Sequence, residues 1–149
     1  MIGVSLVPYQ RAHADFVVGS FGASIRRESP WSSTNVRAHM DALERVLRDP
    51  GTRALVAIPT GHADDLIGWA VQSDGALVFA YVRYALRGQG IGRALLDAAF
   101  DGIPEGITTP VVYWTRAATR YARAGHRYAF DTEALDRIAR LAHTERDAA

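Results

Sequence analysis

Apolar residues recur along this chain with two different spacings. Compact apolar runs of strand length fall at 2–7, 52–59 (TRALVAIP), 66–72, 76–82 (ALVFAYV), 111–115 (VVYWT) and 127–130. The run at 76–82 carries no charge on either alternation, which suits a strand buried on both faces. Pro8 stops the first run and Pro110 starts the fifth, positions tolerated at the ends of strands. Ser73-Asp74-Gly75 separates the third run from the fourth and predicts a hairpin turn, and 60–64 reads as another turn.

Between these runs the apolar positions fall three and four apart, the spacing of amphipathic helices. Phe16, Val17, Phe21, Ser24 and Ile25 share a face over 9–27, where Gly19 and Gly22 predict a broken or irregular helix. Val36, Met40, Leu43 and Leu47 define a second helix, capped by Ser33 or Thr34 and ended by Asp49-Pro50-Gly51. Ile91, Ala94, Leu95, Ala98 and Ala99 define a third. A short helix over 115–126 is closed by Gly125. A last one over 131–146 starts at Asp131 or Thr132, with Leu135, Ile138, Ala139 and Ala142 on one face. Two helices, an antiparallel strand series and a crossover helix together predict an α/β chain, of α+β type, with a sheet of mixed direction.

One junction in this pattern carries chemistry. Strand 76–82 runs into Gly88, Gly90 and Gly92, which alternate between Arg87 and Arg93 and lead directly into the third helix. Unencumbered backbone N–H groups at a helix N-terminus favour an anion, and glycine lets it approach closely or supplies positive φ. The segment therefore reads as a phosphate cradle. A Walker loop is excluded because the chain has no lysine. The dinucleotide fingerprint is excluded because the third glycine comes one residue early.

Arg87-x-x-Gly90-x-Gly92 resembles the pyrophosphate loop of the GCN5-related N-acetyltransferases (GNAT superfamily), whose pattern is Arg/Gln-x-x-Gly-x-Gly/Ala. The flanks agree: Tyr81-Val82 ends the strand before the loop, and Arg93-Ala94-Leu95-Leu96 follows it. Ala118, Tyr121 and Gly125 match a second pattern of that family, Ala-x-x-Tyr-x-x-x-Gly-Phe, with His126 in place of the Phe. The resemblance covers about residues 2–130. It implies one GNAT-like domain over 1–149, a largely antiparallel mixed sheet flanked by helices. The helix at 131–146 is then an addition, since many members end in a further strand.

The resemblance also implies an acetyl-CoA-dependent N-acetyltransferase in which the amine attacks directly. The cofactor would meet Val82, Arg83, Arg87, Gly88, Gln89, Gly90, Ile91, Gly92 and Arg93, its pantetheine arm lying between strands 76–82 and 111–115. The N–H of Val82 or its neighbour would polarise the thioester carbonyl. Tyr121, protonated at neutral pH, would be the general acid for the departing thiolate. Glu28, Trp31, Tyr81 and Tyr113, with Tyr84, would wall the acceptor pocket, although a tryptophan such as Trp31 is more often core packing. Trp69 and Trp114 read as core. The glutamate that many members carry on the strand before the loop has no counterpart in 76–82. That leaves Glu28, Asp74, His62 or ordered water to take the amine proton.

Composition narrows the setting. The chain has 149 residues, 48% hydrophobic and 22% charged, enough for one self-sufficient core. Its net charge of +1 supplies no general footprint for nucleic acid. Arg26-Arg27 and the face formed by Arg116, Arg120 and Arg123 nevertheless keep open a GNAT-fold enzyme acting on aminoacyl-tRNA or a DNA base. The missing strand glutamate keeps open a non-catalytic acyl-CoA-binding module. The chain has no cysteine, hence no thiolate nucleophile, and no metal cluster is read from its spacing. No signal peptide or membrane-length apolar run is evident, so a cytoplasmic protein is the expectation. The partner expected is a small-molecule or protein amine, with a homodimer open through the last helix.

Overall fold

The computed structural model describes residues 3–28, 31–101, 108–113, 128–138 and 140. Six strands form one sheet in chain order: β1 (Val4–Pro8), β2 (Thr52–Pro59), β3 (Gly68–Ser73), β4 (Ala76–Val82), β5 (Thr109–Val111) and β6 (Tyr128–Phe130). The pairs β1–β2, β2–β3 and β3–β4 are antiparallel; β4–β5 and β5–β6 are parallel. Helices α1 (Ala14–Ile25), α2 (Val36–Val46) and α3 (Ile91–Ala99) surround it, and α4 is helical over 132–138. The fold is thus a mixed, mostly antiparallel sheet flanked by helices. No helix among the described residues is long and apolar enough to cross a membrane.

Alternation along the strands builds two cores. Val56, Trp69, Val71, Phe79 and Tyr113 pack with Val17, Phe21, Ile25, Leu43 and Val46 of α1 and α2, joined by Ala134 and Ile138 of α4. Leu55, Ala57 and Ala70 face the other way, onto Ile91, Leu95 and Ala99 of α3. Trp69 is fully buried, and its Nε1 donates to Ser20 Oγ at 2.7 Å, so its one polar group is satisfied within α1.

Two close approaches require glycine. A Cβ on Gly22 would stand 2.5 Å from Met40 Sδ, where α1 crosses α2. A Cβ on Gly68 would stand 2.8 Å from the Tyr81 carbonyl oxygen and 3.3 Å from Leu95 Cδ1. Gly22 therefore weakens helical propensity but allows the helices to touch. Gly19 is exposed and meets nothing within 4 Å.

The β3–β4 pairing shifts register between Val71 and Gln72: Val71 pairs with Phe79 and Gln72 with Leu77, leaving Val78 as the extra residue of a bulge. This is why the consecutive residues Val78 and Phe79 both belong to the α1–α2 core. Asp74 and Gly75 turn the hairpin at φ 48° and 81°, the positive values such a tight connection demands.

Several boundaries differ from those the sequence predicts. The irregularity expected at Gly19 and Gly22 is absent, since α1 runs unbroken through both from Ala14 to Ile25, and the helix is instead preceded by a 3₁₀ turn at Arg11–His13. The cap of α2 is Asn35, whose Oδ1 accepts from the Ala38 N–H at 3.2 Å; Thr34 instead donates to the Trp31 carbonyl, closing a 3₁₀ turn at Trp31–Ser33. β3 begins at Gly68 rather than 66, and β5 is Thr109–Val111, with 112–113 in a bend. α4 starts from Asp131, whose Oδ1 accepts from the N–H groups of Glu133 at 2.9 Å and Ala134 at 3.2 Å. Arg137 of α4 donates to the Ser73 carbonyl at 3.0 Å and lies 3.7 Å from the Asp74 carboxylate, tying the helix to the hairpin turn.

Candidate active site

The site is built where β4 meets α3. β4 is buried from Ala76 to Phe79 and half-buried from Ala80 to Val82, so only its first part behaves as a strand closed on both faces. A 3₁₀ turn at Tyr84–Leu86 follows, then Gly88 at φ +83° and Gly90 at φ +84°. Both glycines hold left-handed backbone, which an L side chain adopts only with strain. A Cβ on either would meet nothing within 4 Å, so backbone conformation rather than crowding within the fold selects glycine there. Gly90 caps α3 with no side-chain bond, and no acidic residue stands in the first turn. Its carbonyl accepts from the Ala94 N–H at 3.0 Å, starting the helical ladder. Ile91 and Gly92 are buried, Gln89 is half-buried and Arg93 is exposed. Among the described residues, a nine-residue helix thus begins with no side-chain cap and no acidic residue at its positive dipole end.

The second feature is an open strand edge. The Arg83 N–H donates to the Ile67 carbonyl at 2.9 Å, one of the bonds that flank a non-hydrogen-bonded pair, while the Ile67 N–H turns to the Ala57 carbonyl. That pair is Gly68–Val82, and the N–H and C=O of Val82 point away from β3. On that side, among the described residues, β5 pairs with β4 at Leu77–Val111, reinforced by the Val112 N–H donating to the Leu77 carbonyl at 2.9 Å. The described residues place no strand against β4 beyond that point. The bulge at Val78 begins one residue after this last contact, and bulges bend and overtwist the strand that carries them. The bend gives a physical cause for the parting of β4 from β5.

The arginines around the loop have distinct contacts. Arg83 Nε donates to the Leu66 carbonyl at 2.7 Å, and its guanidinium lies 5.3 Å from the Phe16 ring centroid. Arg87 Nε donates to the Val82 carbonyl at 2.9 Å, with its guanidinium near the rings of Tyr81 and Tyr84. Tyr84 is 84% exposed.

The residues suggested for an acceptor pocket lie on the α1–α2 face and differ in exposure. Tyr81 is half-buried, edge-on to Phe16 at 6.0 Å. Glu28 is half-buried just past the end of α1. Trp31 and Tyr113 are 7% and 3% exposed, their centroids 4.8 Å apart, so both are core residues that offer only an edge to a ligand. Tyr121 and the helix expected over 115–126 lie outside the described residues, as does Trp114. Asp74 sits in the hairpin at the opposite end of β4 from Val82, facing Arg137, which removes it as a proton acceptor for this site. His62 is exposed in the turn after β2.

Sequence reasoning missed His39. Its Nδ1 lies 2.8 Å from Tyr113 Oη, linking α2 to the point where β5 leaves β4. Burial pushes the Tyr113 phenol well above its ordinary pKa and lowers that of His39 from 6.5, so the pair is neutral at pH 7. The signal was present: residue 39 follows Val36 by three and precedes Leu43 by four, on the apolar stripe of α2. Among the described residues, no group of three or more His, Asp or Glu side chains could hold a metal ion.

No family model matches the chain, and no curated protein matches it in sequence. Solved structures do resemble it. A GNAT-family acetyltransferase from Staphylococcus aureus Mu50 aligns over 65% of this chain and 63% of its own, with 19% identity and a TM-score of 0.50. A GCN5-related N-acetyltransferase from Rhodopseudomonas palustris aligns over 83% and 82%, with 21% identity and a TM-score of 0.52. The ribosomal-protein-alanine N-acetyltransferase of Brucella melitensis biovar Abortus 2308 aligns over 85% and 93%, with 17% identity and a TM-score of 0.54. At these identities the likeness is one of fold, and the fold of the chain is that of the GCN5-related N-acetyltransferases.

Proposed function

We propose that this chain is an acetyl-CoA-dependent N-acetyltransferase acting on a small-molecule or protein amine, by direct attack in a ternary complex. The observation that carries the reading is one juxtaposition. Among the described residues, a β4 edge open up to Val82 stands beside a loop whose Gly88 and Gly90 are left-handed and lead into a helix N-terminus without a side-chain cap. The first half suits an extended arm that adds like a strand; the second suits a pyrophosphate. The Rhodopseudomonas palustris and Brucella melitensis proteins that share this fold are N-acetyltransferases.

The residues that would hold acetyl-CoA are Val82, by its outward N–H, and 87–92, by the backbone N–H groups at the start of α3. The cofactor supplies a thioester acetyl group. The Val82 N–H would act as the donor to the developing oxyanion, a contact typically worth about 3 kcal/mol. Ile91 anchors that helix end in the core beside Leu55, Ala57 and Ala70. Tyr121 would protonate the leaving thiolate. Tyr81 and Glu28 would border the amine, with Trp31 and Tyr113 as the wall behind, and water would take the amine proton.

The test is calorimetric titration with acetyl-CoA, using coenzyme A and NAD as comparisons. Saturable acetyl-CoA binding that is lost in Gly90→Ala is expected. That substitution forces an L residue into left-handed backbone, a strain of about 1–2 kcal/mol. No binding by the unaltered chain would end the transferase reading.

A further inference from the structure

Arg87 stands between the two halves of the site, and its contacts are already committed on one side. Its Nε reaches back across the Tyr84–Leu86 turn to the Val82 carbonyl, 2.9 Å away. Its guanidinium carbon lies 5.9 Å from the Tyr81 centroid and 5.5 Å from that of Tyr84, so two rings bracket the cation. The Val82 carbonyl is one of the groups that point to the open side of β4 and lack a ladder partner among the described residues. Without a donor there, the last peptide of the strand would be held from the β3 side alone. A guanidinium donates a charge-assisted bond from Nε and holds its Nη hydrogens in a fixed planar fork, whereas an ammonium carries its three donors on one atom at the end of a flexible stem. Among the described residues the hydrogen bond from Arg87 is the one its Nε makes.

We propose that Arg87 is a positioning residue: through the Val82 carbonyl it fixes the end of β4, so that the open peptide edge and the glycine loop keep one relative placement. Its effect on turnover rests on the acetyltransferase reading; its effect on β4 does not.

The experiment compares the unaltered chain with Arg87→Lys, which keeps the charge, and Arg87→Met, which keeps the stem. Amide hydrogen exchange of the ligand-free chain reads the peptide directly, through the Arg83 N–H that closes the β4 end on Ile67. Thiol release from acetyl-CoA, with hydroxylamine as the probe acceptor, reads kcat and KM. Both variants are expected to raise exchange at Arg83 about tenfold, the equivalent of one lost charge-assisted hydrogen bond. Arg87→Lys should keep KM for acetyl-CoA within about threefold while kcat falls about tenfold. Unchanged exchange at Arg83 in both variants overturns the proposal, and so does a wild-type kcat in Arg87→Lys. If the unaltered chain releases no thiol, the acetyltransferase reading fails while the exchange result still decides the role of Arg87.

Discussion

Gly68→Ala is the most informative single methyl that can be added to this protein. Gly68 pairs with Val82 across the β3–β4 ladder, and its missing Cβ faces α3. The new carbon would lie 2.8 Å from the Tyr81 carbonyl oxygen, a separation that real Cβ atoms essentially never show, and 3.3 Å from Leu95 Cδ1. Leu95 can rotate, but the carbonyl is backbone. The β4 chain must therefore move by some tenths of an ångström at the residue before Val82. Overpacking of this kind costs about 1–3 kcal/mol, or roughly 3–10 °C of Tm for a domain of this size. Urea unfolding followed by circular dichroism gives Cm and m; the expected result is a lower Cm at unchanged m. Gly19→Ala is the matched control, the same methyl in helix α1 with open space around it. It should raise stability by about 0.5–1 kcal/mol. A Gly68→Ala protein as stable as the unaltered chain would refute the argument, because β3 and β4 would then be further apart than described.

Two further outcomes follow from other contacts. Ser20→Ala leaves the indole N–H of fully buried Trp69 without its acceptor and should lower stability by about 1–3 kcal/mol, read from Cm; a loss below a few tenths would mean another acceptor replaces Ser20. His39 has a pKa below its ordinary 6.5 in the folded chain, so the unfolded chain binds its proton first as pH falls. Its contribution is complete above about pH 6.5 and is lost as pH drops through the lowered folded value. Stability of the unaltered chain should therefore decline more steeply over that window than in His39→Gln, and parallel pH profiles would exclude His39 as the cause.

The loop and its flanking elements were legible because their chemistry is local. An uncharged apolar run has few ways to be satisfied other than as a buried strand, and β4 spans 76–82 as expected. Gly88 and Gly90 are glycine for a backbone reason, and both have positive φ. What was not legible depends on partners far along the chain. In a run as uniformly apolar as ALVFAYV nothing marks Val78 as the extra residue, because the mark is its pairing with β3. That the described residues pair β5 with β4 at a single position is likewise a property of two strands and is written in neither. The α2 cap, expected at Ser33 or Thr34, falls at Asn35 because the 3₁₀ turn from Trp31 uses Thr34, and Ser, Thr and Asn are all good caps in isolation. His39 was passed over because a histidine on an apolar stripe shows no partner until Tyr113 is brought to it by the fold.

The bulge also bears on how a strand like this tolerates a change of length. Ala76, Phe79 and Tyr81 face α1 and α2, while Leu77, Ala80 and Val82 face α3. With Val78 struck out, that series alternates perfectly, and the pairings of Gln72 with Leu77 and Val71 with Phe79 become consecutive rungs of a regular ladder. Removing one residue from the middle of a strand ordinarily turns every later side chain inside out. Here it would return the strand to its plain form, losing only one buried valine and the bend at which the two sheet halves part. Read backwards, a uniform sheet could acquire such a cleft through a single inserted codon, with every other residue left on the face it already occupied.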